Sequence, residues 1–139
     1  MRLLRLSLIF LAVLFGPGSG MATTDCSRGN GVAMKAEAET GGLAAYVETN
    51  PTKVPVGRPF EATISICGPG NVVVDRFVID ATMPRHRHGM NYTPKVSSAD
   101  KRTHTATGLL FHMPGLWRIA VIVHSKSKRL RYTHDIVVE

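Results

Sequence analysis

Hydrophobic and polar residues alternate along much of the chain beyond residue 42. Residues 60–66 and 117–123 carry an apolar side chain at every second position, which is the period of a strand with one buried face. Less regular alternation predicts further strands over residues 43–48, 72–83, 103–107, 109–112 and 130–138. No window of a dozen residues follows the 3.6-residue period of an amphipathic helix, so the pattern predicts an all-β protein.

Turn signals separate these segments every 8–12 residues or so, as at Gly68-Pro69-Gly70-Asn71 and Met113-Pro114-Gly115. About seven short strands with such spacing predict an antiparallel two-sheet sandwich. We place this domain at residues 42–139, after an extended lead-in over 23–41 that is rich in small residues. Residues 84–94 break the alternation, which predicts a loop or a strand that crosses between the sheets.

The first 22 residues have the pattern of a secretory signal peptide. Arg2 and Arg5 precede an apolar run over residues 8–15, and Gly20 and Ala22 fit the small-residue cleavage rule. The run is shorter than the roughly 20 apolar residues that a membrane span needs, and no later segment is a better candidate. We therefore expect a periplasmic or secreted, soluble mature protein without a transmembrane segment.

The mature chain is mildly basic, because cleavage removes two arginines and lowers the formal net charge from +7 to +5. Its aromatic residues are not interleaved with a basic stripe, so nucleic acid is not an expected partner. The one dense cationic cluster, residues 126–131, coincides with an expected hairpin turn, where it is either solvated or a contact for an acidic partner or anionic headgroups. No catalytic triad, paired acidic residues or phosphate-binding loop stands out, so we expect no enzyme.

The two cysteines, Cys26 and Cys67, are expected to pair in an oxidising compartment. Such a bridge is worth about 4 kcal/mol in the chain-entropy model. A structural disulfide also leaves no thiolate for a blue-copper site or a redox pair.

The segment Met83–Tyr92 carries the densest chemistry. If the backbone is extended there, His86 and His88 point to the same side with Cα atoms about 6.5 Å apart, so both imidazoles can close on one ion. Met83 and Met90 flank the pair, and imidazole plus thioether donors favour copper, especially Cu(I). His112 and Met113 lie in another turn that a sandwich can bring to the same end, although Met83 and His112 also fit core positions.

The same segment supports a second interpretation. Arg85 and Arg87 raise the electrostatic cost of binding a cation, whereas two guanidinium groups beside imidazoles can hold the carboxylate of a small organic acid. Tyr92 or Trp117 would then provide an aromatic wall.

The motif M-P-R-H-R-H-G-M from Met83 to Met90, with G-L-L-F-H-M-P-G-L-W from Gly108 to Trp117, resembles the YtkA-like or FixH-like group of exported β-sandwich domains. The similarity covers about residues 47–138. It implies an immunoglobulin-like or cupredoxin-like fold and a link to copper handling and respiratory oxidase assembly. Some relatives carry an auxin-binding label, which would match the carboxylate interpretation. The matching candidate ligands are Met83, His86, His88, Met90, His112 and Met113.

The sequence thus predicts an accessory protein that binds copper and delivers it to a membrane or periplasmic partner. Two alternatives remain open: a structural or adaptor sandwich without metal, and a protein that binds a small organic acid.

Overall fold

The computed structural model describes residue 26 and residues 29–139, so the predicted signal peptide lies outside the described residues. Within the described part, the chain forms ten β-strands and no helix. They are β1 (Val32–Ala33), β2 (Lys35–Ala36), β3 (Ala44–Asn50), β4 (Pro59–Cys67), β5 (Arg76–Met83), β6 (His88–Gly89), β7 (Lys95–Ser98), β8 (Thr103–Leu110), β9 (Gly115–Ser125) and β10 (Lys128–Val138).

The strands form two antiparallel sheets of five strands each. One sheet has the order β1-β3-β4-β8-β7, and the other has the order β2-β10-β9-β5-β6. The predicted all-β, two-sheet antiparallel fold is therefore confirmed, with more strands than expected because three of them contain only two residues.

The core lies between the sheets and follows the predicted alternation. Ile64 and Ile66 of β4 belong to the same buried cluster as Trp117 and Ile119 of β9, and all four have a relative exposure of 0%. Fully burying one such side chain stabilises the fold by about 1.5–3 kcal/mol. The two regular apolar repeats of the sequence thus supply facing sides of one core.

Strand boundaries differ from the predictions where burial does not follow alternation. Strand β5 begins at Arg76 rather than at Val72, although Val72 is buried at the start of the preceding connection. Strand β8 is continuous across residues 103–110, whereas the sequence predicted a break at Gly108. Strand β7 was not predicted. All four of its residues are exposed at a sheet edge, so its sequence has no alternation of buried apolar and exposed polar positions.

The two ends of the sandwich carry different chemistry. We call residues 83–90 and 111–117 the histidine end, where the β5–β6 and β8–β9 connections lie. We call residues 40–43, 67–72 and 125–128 the hairpin end, where the β9–β10 turn lies. Strand β9 runs from one end to the other, since Gly115 pairs with Val138 and Ser125 pairs with Lys128.

Cys26 and Cys67 form the predicted disulfide, with Cα atoms 5.2 Å apart. The bridge ties the lead-in to the last residue of β4 at the hairpin end, and neither of the chain's two cysteines is free. Residue 26 and residues 29–139 contain no helix long and apolar enough to cross a membrane.

Candidate metal centre

His86 and His88 lie on a tight β-hairpin rather than on an extended segment. Strands β5 and β6 pair through Met83 and His88, and residues 84–87 form the turn between them. The Met83 carbonyl accepts hydrogen bonds from the amides of His86 (3.1 Å) and Arg87 (2.9 Å), and Arg87 has a φ of +56°. Residues 84–87 thus form a turn within the predicted loop, and the extended backbone on which the same-side argument depended is not present there.

The turn nevertheless keeps the imidazoles close, and the fold adds a third. The ring centres of His86 and His88 are 6.0 Å apart, and those of His88 and His112 are 5.3 Å apart. Two imidazoles that share one ion at a metal–nitrogen distance of about 2.0–2.1 Å have ring centres about 4.5–6.3 Å apart, depending on the angle at the ion. Both pairs fall in this range, and the His88–His112 pair is close to the tetrahedral value of about 5 Å.

Polar contacts distinguish the two closest rings. His88 Nδ1 lies 3.3 Å from the Gly89 carbonyl oxygen. When that nitrogen carries the proton it donates to the carbonyl and leaves Nε2 as the ligating atom, which is a common way to orient a metal-binding histidine. His112 Nδ1 is buried and has no hydrogen-bond partner. Nε2 of the core residue His104 is buried without a partner as well, and an unpartnered nitrogen of this kind is consistent with a bound water or ion.

Trp117 forms the inner wall of this cluster. Its ring centre lies 5.8 Å from that of His88 and 5.4 Å from that of His112, with both pairs edge-on at 75°. The indole stacks on Phe111 at 4.5 Å and donates from Nε1 to the Met113 carbonyl at 2.9 Å. Trp117 is fully buried, so it fixes the β8–β9 connection that carries His112 and Met113.

The three methionines near the histidines differ in accessibility. Met83 is 2% exposed and belongs to the core, which was the alternative to a ligand role. Met90 is partly buried against the core, and Met113 is 37% exposed. Met113 and Met90 are therefore less enclosed by the core than Met83.

Across residue 26 and residues 29–139, no three His, Cys, Asp or Glu side chains are arranged to hold a metal ion. The ring distances allow two imidazoles to share an ion, either His88 with His112 or His88 with His86. A complete coordination shell needs additional donors of another type, such as thioether sulfur or water.

The arginines and the tyrosine of the organic-acid interpretation lie on the surface. Arg85, Arg87 and Tyr92 are all exposed, and none of them lines the cavities at residues 40–43, 47–52, 71–73 or 59–61. Trp117, the other proposed wall, faces the histidines from the core.

His104 is a buried imidazole that the sequence did not single out. It is 4% exposed, stacks on Phe77 at 4.4 Å between ring centres, and its Nδ1 lies 2.8 Å from Ser98 Oγ. Burial lowers its pKa below the ordinary value, and the charge of Asp100 opposes this shift. The only sequence signal was its position on the inward face of β8, two residues before buried Ala106.

No protein-family model, no curated protein and no solved structure matches this chain. The candidate site therefore stands on the geometry of its own residues.

Proposed function

We propose that this protein is an exported, non-enzymatic accessory protein that binds one copper ion at the histidine end. His88 and His112 are the imidazole ligands, and the exposed imidazole of His86 lies beside His88 without completing a three-histidine site. The observation that carries this proposal is the 5.3 Å spacing of the His88 and His112 rings, together with the unpartnered buried nitrogen of His112.

The donor chemistry favours copper over harder cations. Imidazole and thioether ligands suit copper, whereas Mg²⁺ and Ca²⁺ require oxygen ligands. We assign the thioether role to Met113 and Met90, which are less buried than Met83. Both cysteines are consumed by the disulfide, so a thiolate-based blue-copper centre is not part of this proposal.

Accessibility favours transfer of the ion over permanent storage. His86 is exposed, His88 and His112 are half-buried, and Met113 is partly exposed. A site with such donors can exchange its ion with a partner that supplies competing ligands. We propose a copper-receiving membrane or periplasmic protein as that partner, in line with the resemblance to YtkA-like and FixH-like domains.

Copper retention by the purified mature protein, residues 23–139 exported with its disulfide, tests the proposal. Under anaerobic conditions, competition with a chromophoric Cu(I) chelator should give one bound ion per chain. The double variant His88→Ala/His112→Ala should lose at least nine tenths of this binding. His124→Ala, a histidine at the other end of β9, should retain all of it.

Two results would overturn the proposal. The wild-type protein could fail to bind copper at micromolar concentration, or the double variant could bind it as tightly as the wild type. A circular dichroism spectrum of each variant establishes that the β-sandwich is intact.

A further inference from the structure

The basic run over residues 126–131 is divided by the fold into groups with different surroundings. Arg131 pairs with Glu37 beside the edge strand β2, and Arg129 is exposed. Lys126 and Lys128 instead line a cavity at the hairpin end. In the described part of the chain, the ammonium groups of these two lysines have no carboxylate in an ion pair.

The cavity has a volume of about 210 Å³. This is many times the roughly 10–15 Å³ that one water molecule requires. The cavity lies where the β2–β3, β4–β5 and β9–β10 connections meet, and these connections are distant from one another in the sequence. Among the residues that the structure describes, none in its lining is acidic. The lining residues are Thr40, Gly41, Leu43, Pro69, Asn71, Val72, Ser125, Lys126, Ser127 and Lys128.

The turn holds the backbone of Lys126, and the side chain of Lys128 extends to Gly41. Lys128 Nζ lies against the backbone of Gly41, where an added Cβ would be only 2.8 Å from it. Lys126 has a φ of +55° in the two-residue hairpin turn, and its amide donates to Asp75 Oδ2 at 2.8 Å. Asp75 is thus directed at the turn backbone and does not line the cavity.

The remaining lining is divided between hydrogen-bonding and apolar groups. The hydroxyls of Ser125 and Ser127 and the amide of Asn71 supply donors near the lysines, and Ser125 is only 9% exposed. Leu43, Pro69 and Val72 supply an apolar surface. A few polar groups that converge beside apolar side chains are typical of small-molecule sites.

We propose that this cavity binds a small organic acid. Lys126 and Lys128 hold its carboxylate with charge-assisted hydrogen bonds, and Leu43, Pro69 and Val72 contact its apolar body. The apolar surface and the volume favour an organic acid over a bare inorganic oxyanion. The site is at the opposite end of the sandwich from the proposed copper ligands and does not depend on them.

Calorimetric titration with benzoate tests this proposal on the disulfide-bonded mature protein. We expect saturable binding of benzoate, and no binding of benzamide, which has the same shape without the charge. Lys126→Met and Lys128→Met keep the aliphatic stems, and each should weaken benzoate binding by about tenfold through loss of a charge-assisted contact. Arg129→Met is the matched control in the same turn and should leave it unchanged.

Each other outcome counts against the proposal. Absence of benzoate binding at millimolar concentration overturns it, as does equal loss in Arg129→Met. Inorganic phosphate that binds as tightly as benzoate would show that the apolar surface plays no part. Lysine-dependent binding to phosphatidylglycerol vesicles without benzoate binding would make this end a membrane contact instead. His88→Ala/His112→Ala should bind benzoate normally, so failure here and failure of the copper proposal are distinguishable.

Discussion

The imidazoles of His88 and His112 lie 5.3 Å apart although 24 positions separate them in the sequence. His88 reaches this position from the short strand β6, which pairs only with the end of β5. His112 reaches it from the connection between β8 and β9, which the Trp117 indole holds through the Met113 carbonyl. The pair therefore exists only when the β5–β6 hairpin and the β8–β9 connection are both in place.

Trp117 should report copper binding directly. It is the only tryptophan in the chain, and its ring centre is within 6 Å of both His88 and His112. We expect one equivalent of Cu²⁺, a paramagnetic ion, to quench most of its fluorescence, and Zn²⁺, a d¹⁰ ion, to leave the emission largely unchanged. Titration of His88→Ala/His112→Ala should show no quenching, and quenching that persists in this variant would place copper elsewhere.

Met→Leu substitutions should separate ligand sulfur from core sulfur, because leucine conserves volume and removes only the thioether. We expect Met113→Leu or Met90→Leu to weaken Cu(I) binding by at least about tenfold, as thioethers are the soft donors of the site. Met83→Leu should leave Cu(I) affinity unchanged, since Met83 is buried. Chelator competition measures all three affinities. A larger loss of Cu(I) affinity in Met83→Leu than in Met113→Leu and Met90→Leu would indicate that Met83 is a ligand.

Gly115 should be intolerant of a side chain because of its backbone conformation and because of a close neighbour. Its φ is +125°, and an added Cβ would lie 3.0 Å from Met83 Cε. We expect Gly115→Ala to lower the free energy of unfolding by about 1–3 kcal/mol. Gly57→Ala has a positive φ of +69° without a neighbour within 4 Å, so it measures the smaller cost of the left-handed region without a steric contact. Urea denaturation that finds Gly115→Ala no worse than Gly57→Ala would contradict the predicted clash.

Stability should fall as the pH drops from 7.5 to 5.5 because of His104. Burial holds its folded-state pKa below the ordinary 6.5, so the unfolded chain binds more protons in this range. The contribution is complete above about pH 6.5 and is lost as the pH falls towards the folded-state pKa. His134 acts in the same direction, since burial lowers its pKa as well.

Urea denaturation at several pH values tests this prediction. The unfolding midpoint of the wild type should be lower at pH 5.5 than at pH 7.5. His104→Gln keeps a polar group for Ser98 and should reduce that difference, and His134→Gln should reduce it separately. A wild-type midpoint that does not fall on acidification, or that falls equally in His104→Gln, would argue against this role.

The sequence predicted the sandwich because burial and alternation coincide in its central strands. Residues 60–66 and 117–123 show this relation most clearly, since their apolar positions are the buried ones. The prediction missed β7, which has no buried face. It also began β5 too early, because Val72 is buried although it lies in a connection.

The candidate site was predicted by residue type but not by conformation. His86, His88 and His112 do come together, yet the turn over residues 84–87 depends on the left-handed backbone of Arg87, which no local residue preference indicated. The stacking of Phe77 on His104 and the cavity at the hairpin end depend on contacts between distant segments. Periodicity within one strand carries no information about such contacts.

Strand β9 keeps the two proposed ligands out of each other's electrostatic range. Its 11 residues extend from Gly115, beside Met83, to Ser125, in the cavity wall. At about 3.3 Å per residue this is a distance of roughly 33 Å, several times the Debye length of about 8 Å at physiological ionic strength. A cation at one end and a carboxylate at the other would neither attract nor displace each other appreciably. If both proposals hold, occupancy of one site should leave the affinity of the other unchanged.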